Sequence, residues 1–187
     1  MKIAVLLYND VSELEAFGFY GVLAEARALL PEETLDLYTV ARSRMSVQTQ
    51  GNLVVTPHWA FMSAPEPDVL VIPGGLTQTV RRDRTVTSYL EAHAARVSTC
   101  LALGTGAFLL GEIGLVRDMD AAALGENSDT LRDFEAGGIH DAPFVKNNNG
   151  RWFAGLGLAA VSAGLELIRT LFGEDITESV RSKLELT

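Results

Sequence analysis

Short hydrophobic runs recur along the chain and predict buried strands. Residues 2–8 (KIAVLLY), 68–72 (DVLVI) and 97–103 (VSTCLAL) consist mainly of apolar residues. Runs of this length are typical of strands that are covered on both faces within a parallel sheet. Residues 35–40 alternate between apolar and polar positions and predict a further strand, and residues 51–56 are compatible with a short strand or a hairpin.

Between these runs, hydrophobic residues return at helical spacing. Residues 13–28 form the first such segment, and Ser12 before it is a suitable N-cap residue. The other predicted helices cover residues 77–94, 107–110, about 157–172 and about 175–184. The alternation of strands and helices predicts one domain over residues 1–187, a three-layer α/β/α sandwich with a mainly parallel sheet.

Composition and charge narrow the classes of function. The 187 residues are 48% hydrophobic and 21% charged, with a net charge of −9 that disfavours direct binding to nucleic acid. The single cysteine, Cys100, allows no internal disulfide and fits a reducing compartment.

No signal-like segment and no apolar run of about 20 residues is found, so we expect a cytoplasmic protein that does not enter membranes. The three histidines are scattered, and we expect no metal and no cofactor.

Two features follow predicted strands, where parallel sheets bind ligands. Gly74 and Gly75 come directly after residues 68–72, and their N–H groups either face a ligand or simply form a tight turn. Glu15 lies in the first predicted helix and is either a buried general acid/base or a solvated surface carboxylate. Glu13 is only two residues away, so at most one of the two carboxylates faces the site.

Residues 97–108 carry the most informative local pattern. A buried strand ends in a sharp turn at Gly104-Thr105-Gly106, and an apolar helix begins at once. This is the layout of a nucleophile elbow, in which the turning residue presents its side chain above the sheet. The turning residue here is Gly104, which has no side chain to present.

Taken together, these motifs resemble the ThiJ/PfpI family of the class I glutamine amidotransferase-like superfamily. The resemblance is carried by residues 11–18 (VSELEAFG), 69–75 (VLVIPGG), 106–115 (GAFLLGEIGL) and 171–173 (LFG). The most similar branch comprises isonitrile hydratases and the sensor domains of AraC-type regulators. The resemblance implies a flavodoxin-like fold, a homodimer, an acidic site residue at Glu15 and an oxyanion loop at Gly74 and Gly75.

The departures from the family pattern bear on function. The family's cysteine nucleophile falls on Gly104, whereas Cys100 is four residues too early, roughly 13 Å away along an extended strand. The family's later histidine falls on Leu124, and a polar stretch falls on residues 158–160 (LAA). The nucleophile and its partner are therefore replaced by glycine and apolar residues.

Three functional hypotheses follow. In the leading one, the protein is a catalytically degenerate family member that binds a small molecule or acts as a regulator. Its candidate site consists of Glu15 and the binding residues Gly74, Gly75, Gly104, Thr105 and Leu124. In the second, Glu15 is the general acid/base of a hydratase or lyase, with Gly74 and Gly75 as oxyanion donors. In the third, Cys100 supports an amidase, hydrolase or redox activity.

The partner expected from the sequence is a second copy of the chain. Besides the resemblance, the first predicted helix carries Phe17, Phe19 and Tyr20, which we expect to need covering by a partner. No helix-turn-helix segment follows the domain, so we expect no direct binding to DNA.

Overall fold

A computed structural model describes residues 1–186. Within that range the strands are β1 (Lys2–Leu6), β2 (Asp36–Ala41), β3 (Val47–Gln48), β4 (Val54–Val55), β5 (Trp59–Ala60), β6 (Val69–Ile72), β7 (Thr99–Leu103), β8 (Ala121–Ala122), β9 (Ile139–His140), β10 (Phe144–Lys146) and β11 (Arg151–Ala154). The helices are α1 (Glu13–Leu29), α2 (Thr77–Val80), α3 (Arg84–His93), α4 (Ala107–Glu112), α5 (Glu126–Asp133), α6 (Ala159–Phe172) and α7 (Glu174–Lys183), and a 3₁₀ turn covers Gly104–Gly106.

A central sheet organises the fold, with the strand order β10-β11-β7-β6-β1-β2-β5 among the described residues. Every neighbouring pair in it is parallel except β10 and β11, which form an antiparallel hairpin. The sequence prediction of a mainly parallel sheet between helical layers is confirmed.

Two hydrophobic cores lie on the two faces of the sheet, because successive strand residues point to opposite sides. Val5 and Val71 pack on one face beneath α1, α6 and α7, whereas Ala4 and Leu70 pack on the other beneath α3 and α4. Both faces are covered, which explains why the central strands are continuous hydrophobic runs. Within residues 1–186, no helix combines the length and hydrophobicity that crossing a bilayer requires.

The predicted helix over residues 77–94 is in fact two helices. The side chain of Asp83 accepts a hydrogen bond from the backbone N–H of Thr85 at 2.9 Å and caps the start of α3. A capping aspartate has non-helical backbone angles, so it ends the short helix α2 before the next one begins. Sequence periodicity alone did not separate the two helices because apolar positions recur on both sides of the break.

The aromatic residues of α1 lie differently from the expectation. Phe19 is fully buried, and Phe17 and Tyr20 pack from half-buried positions against the two cores. The reasoning that these rings need a partner to cover them is therefore wrong, because they stabilise the monomer itself. The large hydrophobic side chain that α1 exposes near its start is Leu14, at 48%.

Candidate functional site

The candidate site lies where the order of the strands reverses. From β1 the chain continues through α1 to β2 on one side, and β6 lies on the other side of β1. The start of α1, the loop after β6 and the turn after β7 therefore meet at one edge of the sheet, the usual place for ligands in such folds.

Glu15 is buried at this edge, with 3% of its surface exposed. Its Oε2 accepts a hydrogen bond from the Gly74 N–H at 2.8 Å, and its Oε1 accepts one from the Gly157 N–H at 3.1 Å. Burial raises the pKa of the Glu15 carboxyl above its ordinary value, and the two N–H groups act against that rise. Of the two alternatives left open by the sequence, the buried carboxyl is the one found.

Glu13 points to the opposite side of α1. Its carboxylate accepts hydrogen bonds from the Thr49 hydroxyl and the Gly51 N–H, and these hydrogen bonds lower its pKa. The two carboxylates therefore point to different sides of α1, in line with the sequence argument that at most one of them faces the site.

Hydrogen bonds to Thr105 and Ser12 fix the position of Gly74 and Gly75 in the loop after β6. The Gly75 N–H donates to the Thr105 hydroxyl at 2.9 Å, and that hydroxyl donates to the Gly75 carbonyl at 2.8 Å. The Gly74 carbonyl accepts from the Ser12 N–H at 2.8 Å. Because both glycine N–H groups already have acceptors, neither faces a ligand as a free oxyanion donor in this conformation.

Gly104 is the turning residue of the elbow, as predicted from the sequence, and has a φ of +50°. A Cβ built on it would lie 2.5 Å from Glu15 Oε1 and 2.8 Å from Leu156 Cδ2. Glu15 and Leu156 thus occupy the space that a nucleophile side chain needs in order to leave the backbone at this position.

Gly104 forms part of the wall of a cavity of about 360 Å³. The cavity is lined by Gly104, Phe108, Ala122, Ala123, Leu124, Asn127, Leu131, Asp141, Ala142, Pro143, Gly155, Leu156 and Ala159. Most of these residues present carbon, and Asn127 and Asp141 are the polar side chains among them. A carbon-lined hollow with few polar groups is the usual form of a small-molecule site.

The structure separates the predicted site residues into two groups. Gly104 and Leu124 line the cavity, whereas Gly74, Gly75 and Thr105 are hydrogen-bonded beside it and Glu15 lies behind Gly104. Within residues 1–186, no three His, Cys, Asp or Glu side chains gather in a group that could hold a metal ion.

Sequence reasoning missed most of the lining residues, among them Asn127, Asp141 and Leu156. Asn127 lies in the first turn of α5, a few residues after Leu124. Leu156 lies between Gly155 and Gly157, and glycines on both sides of an apolar residue are a signal of close backbone approach. Nothing in the local sequence distinguishes Asp141 from other loop aspartates.

Cys100 is remote from any opening. It lies within β7, is fully buried and packs in the core under α3 and α4. Burial raises the pKa of its thiol to about 12, and the nearby Arg151 guanidinium offsets only part of that rise.

This burial predicts slow chemical modification of Cys100. A pKa of about 12 leaves roughly one thiol in ten thousand ionised at pH 8, and only the thiolate reacts with alkylating agents. We expect iodoacetamide to label the native protein at least about a hundredfold more slowly than the urea-unfolded protein, measured by intact mass over time. Equal rates in the two states would contradict the placement of Cys100 in the core.

Comparisons with known proteins agree with the resemblance seen in the sequence. A family model described as the DJ-1/PfpI family matches residues 1–152. An isonitrile hydratase from Pseudomonas putida is 27% identical over 187 residues, which is 99% of this chain and 78% of that protein. A crystal structure of a ThiJ/PfpI family protein from Pseudomonas syringae is similar with a TM-score of 0.87 and 22% identity, covering 99% of this chain and 74% of that one. An AraC family transcriptional regulator from Pseudomonas putida gives a TM-score of 0.79 and 22% identity, covering 98% of each chain.

Proposed function

Because the chain belongs to the DJ-1/PfpI family, we propose that it is a non-catalytic member that binds a small molecule in the cavity beside Gly104. The observation that carries this proposal is the elbow itself. Gly104, on which the resemblance places the family's nucleophile, has no side chain, and a Cβ there would meet Glu15 Oε1 and Leu156 Cδ2. The cavity next to it remains large enough for a compact ligand.

The chemistry of the surrounding groups supports binding over catalysis. An elbow enzyme needs a nucleophile above the sheet and free donors for the developing oxyanion. Here the N–H groups of Gly74 and Gly75 donate to Glu15 and Thr105. Leu124, on which the resemblance places the family's histidine, is 63% exposed at the cavity. At the cavity, Leu124 offers a ligand apolar contact and no acid or base.

A second candidate function is an isonitrile hydratase-like activity driven by Glu15. It is favoured by the raised pKa of the Glu15 carboxyl and by the relative of that name. In that reaction the oxygen of water bonds to the isonitrile carbon, one of the two water protons ends on that carbon and the other on the nitrogen, and the product is a formamide. Glu15 would have to reach the water past Gly104 and Leu156, and its carboxylate already accepts two N–H groups. This is why we prefer the binding function.

The first test is a search for turnover. Benzyl isonitrile is incubated with the protein, and its hydration product N-benzylformamide is followed by NMR. We expect no product above the buffer rate in the wild type. Turnover that is lost in Glu15→Gln but retained in Glu13→Gln, the matched change on the other side of α1, would establish the hydratase instead. Turnover that is lost in Cys100→Ala would establish a thiol-dependent activity.

The second test asks whether the cavity binds a small molecule at all. We expect the neutral probe 2-phenylethanol to bind the wild type at millimolar concentration in ligand-observed NMR. Ala159→Phe should remove this binding by filling the cavity, because Ala159 lines it from the first turn of α6. Ala92→Phe is the matched control, since Ala92 is a half-buried helical alanine outside the lining. Equal binding by both variants would contradict the proposed site.

We further propose that the protein forms a homodimer through an exposed leucine patch, defined as Leu14, Leu156 and Leu158. These side chains are 48%, 56% and 70% exposed. They lie together, because Leu14 reaches within 3.6 Å of the Cβ position of Gly157, the residue between the other two. Three neighbouring exposed leucines are an apolar surface that association covers.

The dimer is tested by size-exclusion chromatography with light scattering. We expect a dimer at micromolar concentration for the wild type and a monomer for Leu158→Glu, because a carboxylate is costly in an apolar interface. Leu29→Glu is the control, since Leu29 is 41% exposed at the opposite end of α1. A monomeric wild type, or equal disruption by both variants, would contradict the proposed patch.

A further inference from the structure

We propose that the cavity beside Gly104 selects a small organic amine, a ligand with an apolar body and one positively charged ammonium group. This inference rests on the proposed binding function and names the class of ligand. It follows from the distribution of carbon and charge over the cavity lining.

The inner wall of the cavity fits an apolar body. Phe108, Ala122 and Leu131 are buried side chains of the core that reach this wall, and Ala159 and Leu156 contribute further carbon. None of these side chains can donate or accept a hydrogen bond. A ligand must therefore place hydrocarbon against them, since polar groups there would lose their hydrogen bonds to water.

The charge at the rim is negative and unbalanced. Asp141 is the one charged residue among the lining residues that the structure describes, and it is exposed. Within residues 1–186, its carboxylate has no ion-pair partner. The adjacent His140 is turned to Asp120, with 3.4 Å between Nε2 and Oδ2. A carboxylate beside an apolar hollow, without a cation of its own, attracts an ammonium group on a ligand that fills the hollow.

A neutral acceptor completes the polar side of the cavity. Asn127 is half-buried in the first turn of α5 and lines the cavity together with Asp141. Its side-chain carbonyl accepts hydrogen bonds, and an ammonium group has three N–H donors to offer. An ammonium group on the polar side of the cavity would therefore find a carboxylate in Asp141 and a neutral acceptor in Asn127, while the rest of the ligand faces carbon.

The same arrangement disfavours anions. No lysine or arginine is among the described lining residues, so a carboxylate or phosphate ligand would meet Asp141 without compensation. The net charge of −9 acts in the same direction over longer range. The cavity is therefore poorly suited to organic acids and phosphorylated metabolites.

The experiment compares three probes with the same phenylethyl body in ligand-observed NMR titrations. They are 2-phenylethylamine, which is protonated at pH 7, neutral 2-phenylethanol and anionic 3-phenylpropionate. We expect the amine to bind about threefold more tightly than the alcohol, the size of effect typical of exposed ion pairs, and the acid to bind least. Asp141→Asn should abolish the preference for the amine, so that the amine and the alcohol bind this variant with equal affinity. Raising the salt concentration to 1 M should reduce the preference in the wild type, because the carboxylate is exposed to solvent.

The matched control is Asp129→Asn, which removes one exposed carboxylate of α5 that does not line the cavity. It should preserve the preference for the amine. If amine and alcohol bind equally to the wild type, or if Asp129→Asn acts like Asp141→Asn, the amine inference is wrong while the binding function stands. If none of the three probes binds, the proposed binding function fails and the inference fails with it.

Discussion

Gly106→Ala is expected to lower the free energy of unfolding by about 3 kcal/mol or more, although it adds a single methyl group. A Cβ at position 106 would lie 2.1 Å from the carbonyl oxygen of Ile72 and 2.9 Å from its carbonyl carbon. Both atoms belong to the end of β6, which pairs with β1 and β7 and has no room to move. The Gly106 backbone is in the ordinary helical region, so the cost comes from the clash alone.

The expected loss of stability is large because the elbow depends on the close approach of Gly106 to Ile72. Contact between the 3₁₀ turn and the end of β6 brings Thr105 beside Gly74 and Gly104 beside the Glu15 carboxylate. We expect the melting temperature to fall by roughly 6–12 °C, at about 2–4 °C per kcal/mol for a chain of this length.

Gly21→Ala provides the control for that measurement. Gly21 is exposed within α1, and a Cβ there meets no atom within 4 Å. Alanine favours a helix interior over glycine by roughly 0.5–1 kcal/mol, so this variant should be slightly more stable than the wild type. If Gly106→Ala melts within about 2 °C of the wild type, the packing of the elbow against β6 is wrong.

The sheet and the elbow could be predicted from the sequence because local patterns determine them. In an extended conformation, apolar side chains would lie on both faces of the segments at residues 2–8, 68–72 and 97–103. Only a strand that is covered on both faces of its sheet buries all of them. The change from strand to helix at Gly104 is likewise determined by a few neighbouring residues. The inward position of Glu15 and the outward position of Glu13 follow from helical geometry once the apolar face of α1 is known.

The cavity could not be predicted in the same way, because loops distant in the chain form it. Gly104, Asn127, Asp141 and Leu156 come from four separate segments, and their meeting depends on how each loop leaves the sheet. The hydrogen bonds of Gly74 and Gly75 could not be predicted from the sequence either. Which acceptor the Gly75 N–H finds depends on the exact position of the Thr105 hydroxyl, 30 residues later.

Gly104→Cys is expected to destabilise the protein without creating an active thiol. The introduced cysteine would have to adopt the backbone φ of +50° found at Gly104. This region lowers the stability of the folded protein by about 1–3 kcal/mol for a residue other than glycine. Its Cβ would also lie 2.5 Å from Glu15 Oε1, so the carboxylate or the backbone must shift. The anionic form of Glu15 would raise the pKa of the introduced thiol, since a neighbouring negative charge disfavours a thiolate. We therefore expect no turnover of benzyl isonitrile and slow alkylation at position 104.

Gly114→Cys separates the two contributions to this loss of stability. Gly114 has a φ of +73° and no atom within 4 Å of its Cβ position, so it carries the backbone cost without the clash. In urea unfolding, Gly104→Cys should lose about 1–3 kcal/mol more than Gly114→Cys, the usual range for overpacking. Adding Leu156→Ala to Gly104→Cys should recover only part of that difference, because Glu15 Oε1 is the nearer of the two obstacles. Equal losses for Gly104→Cys and Gly114→Cys, or isonitrile turnover by Gly104→Cys, would show that the elbow still has room for a nucleophile and would contradict the degenerate site.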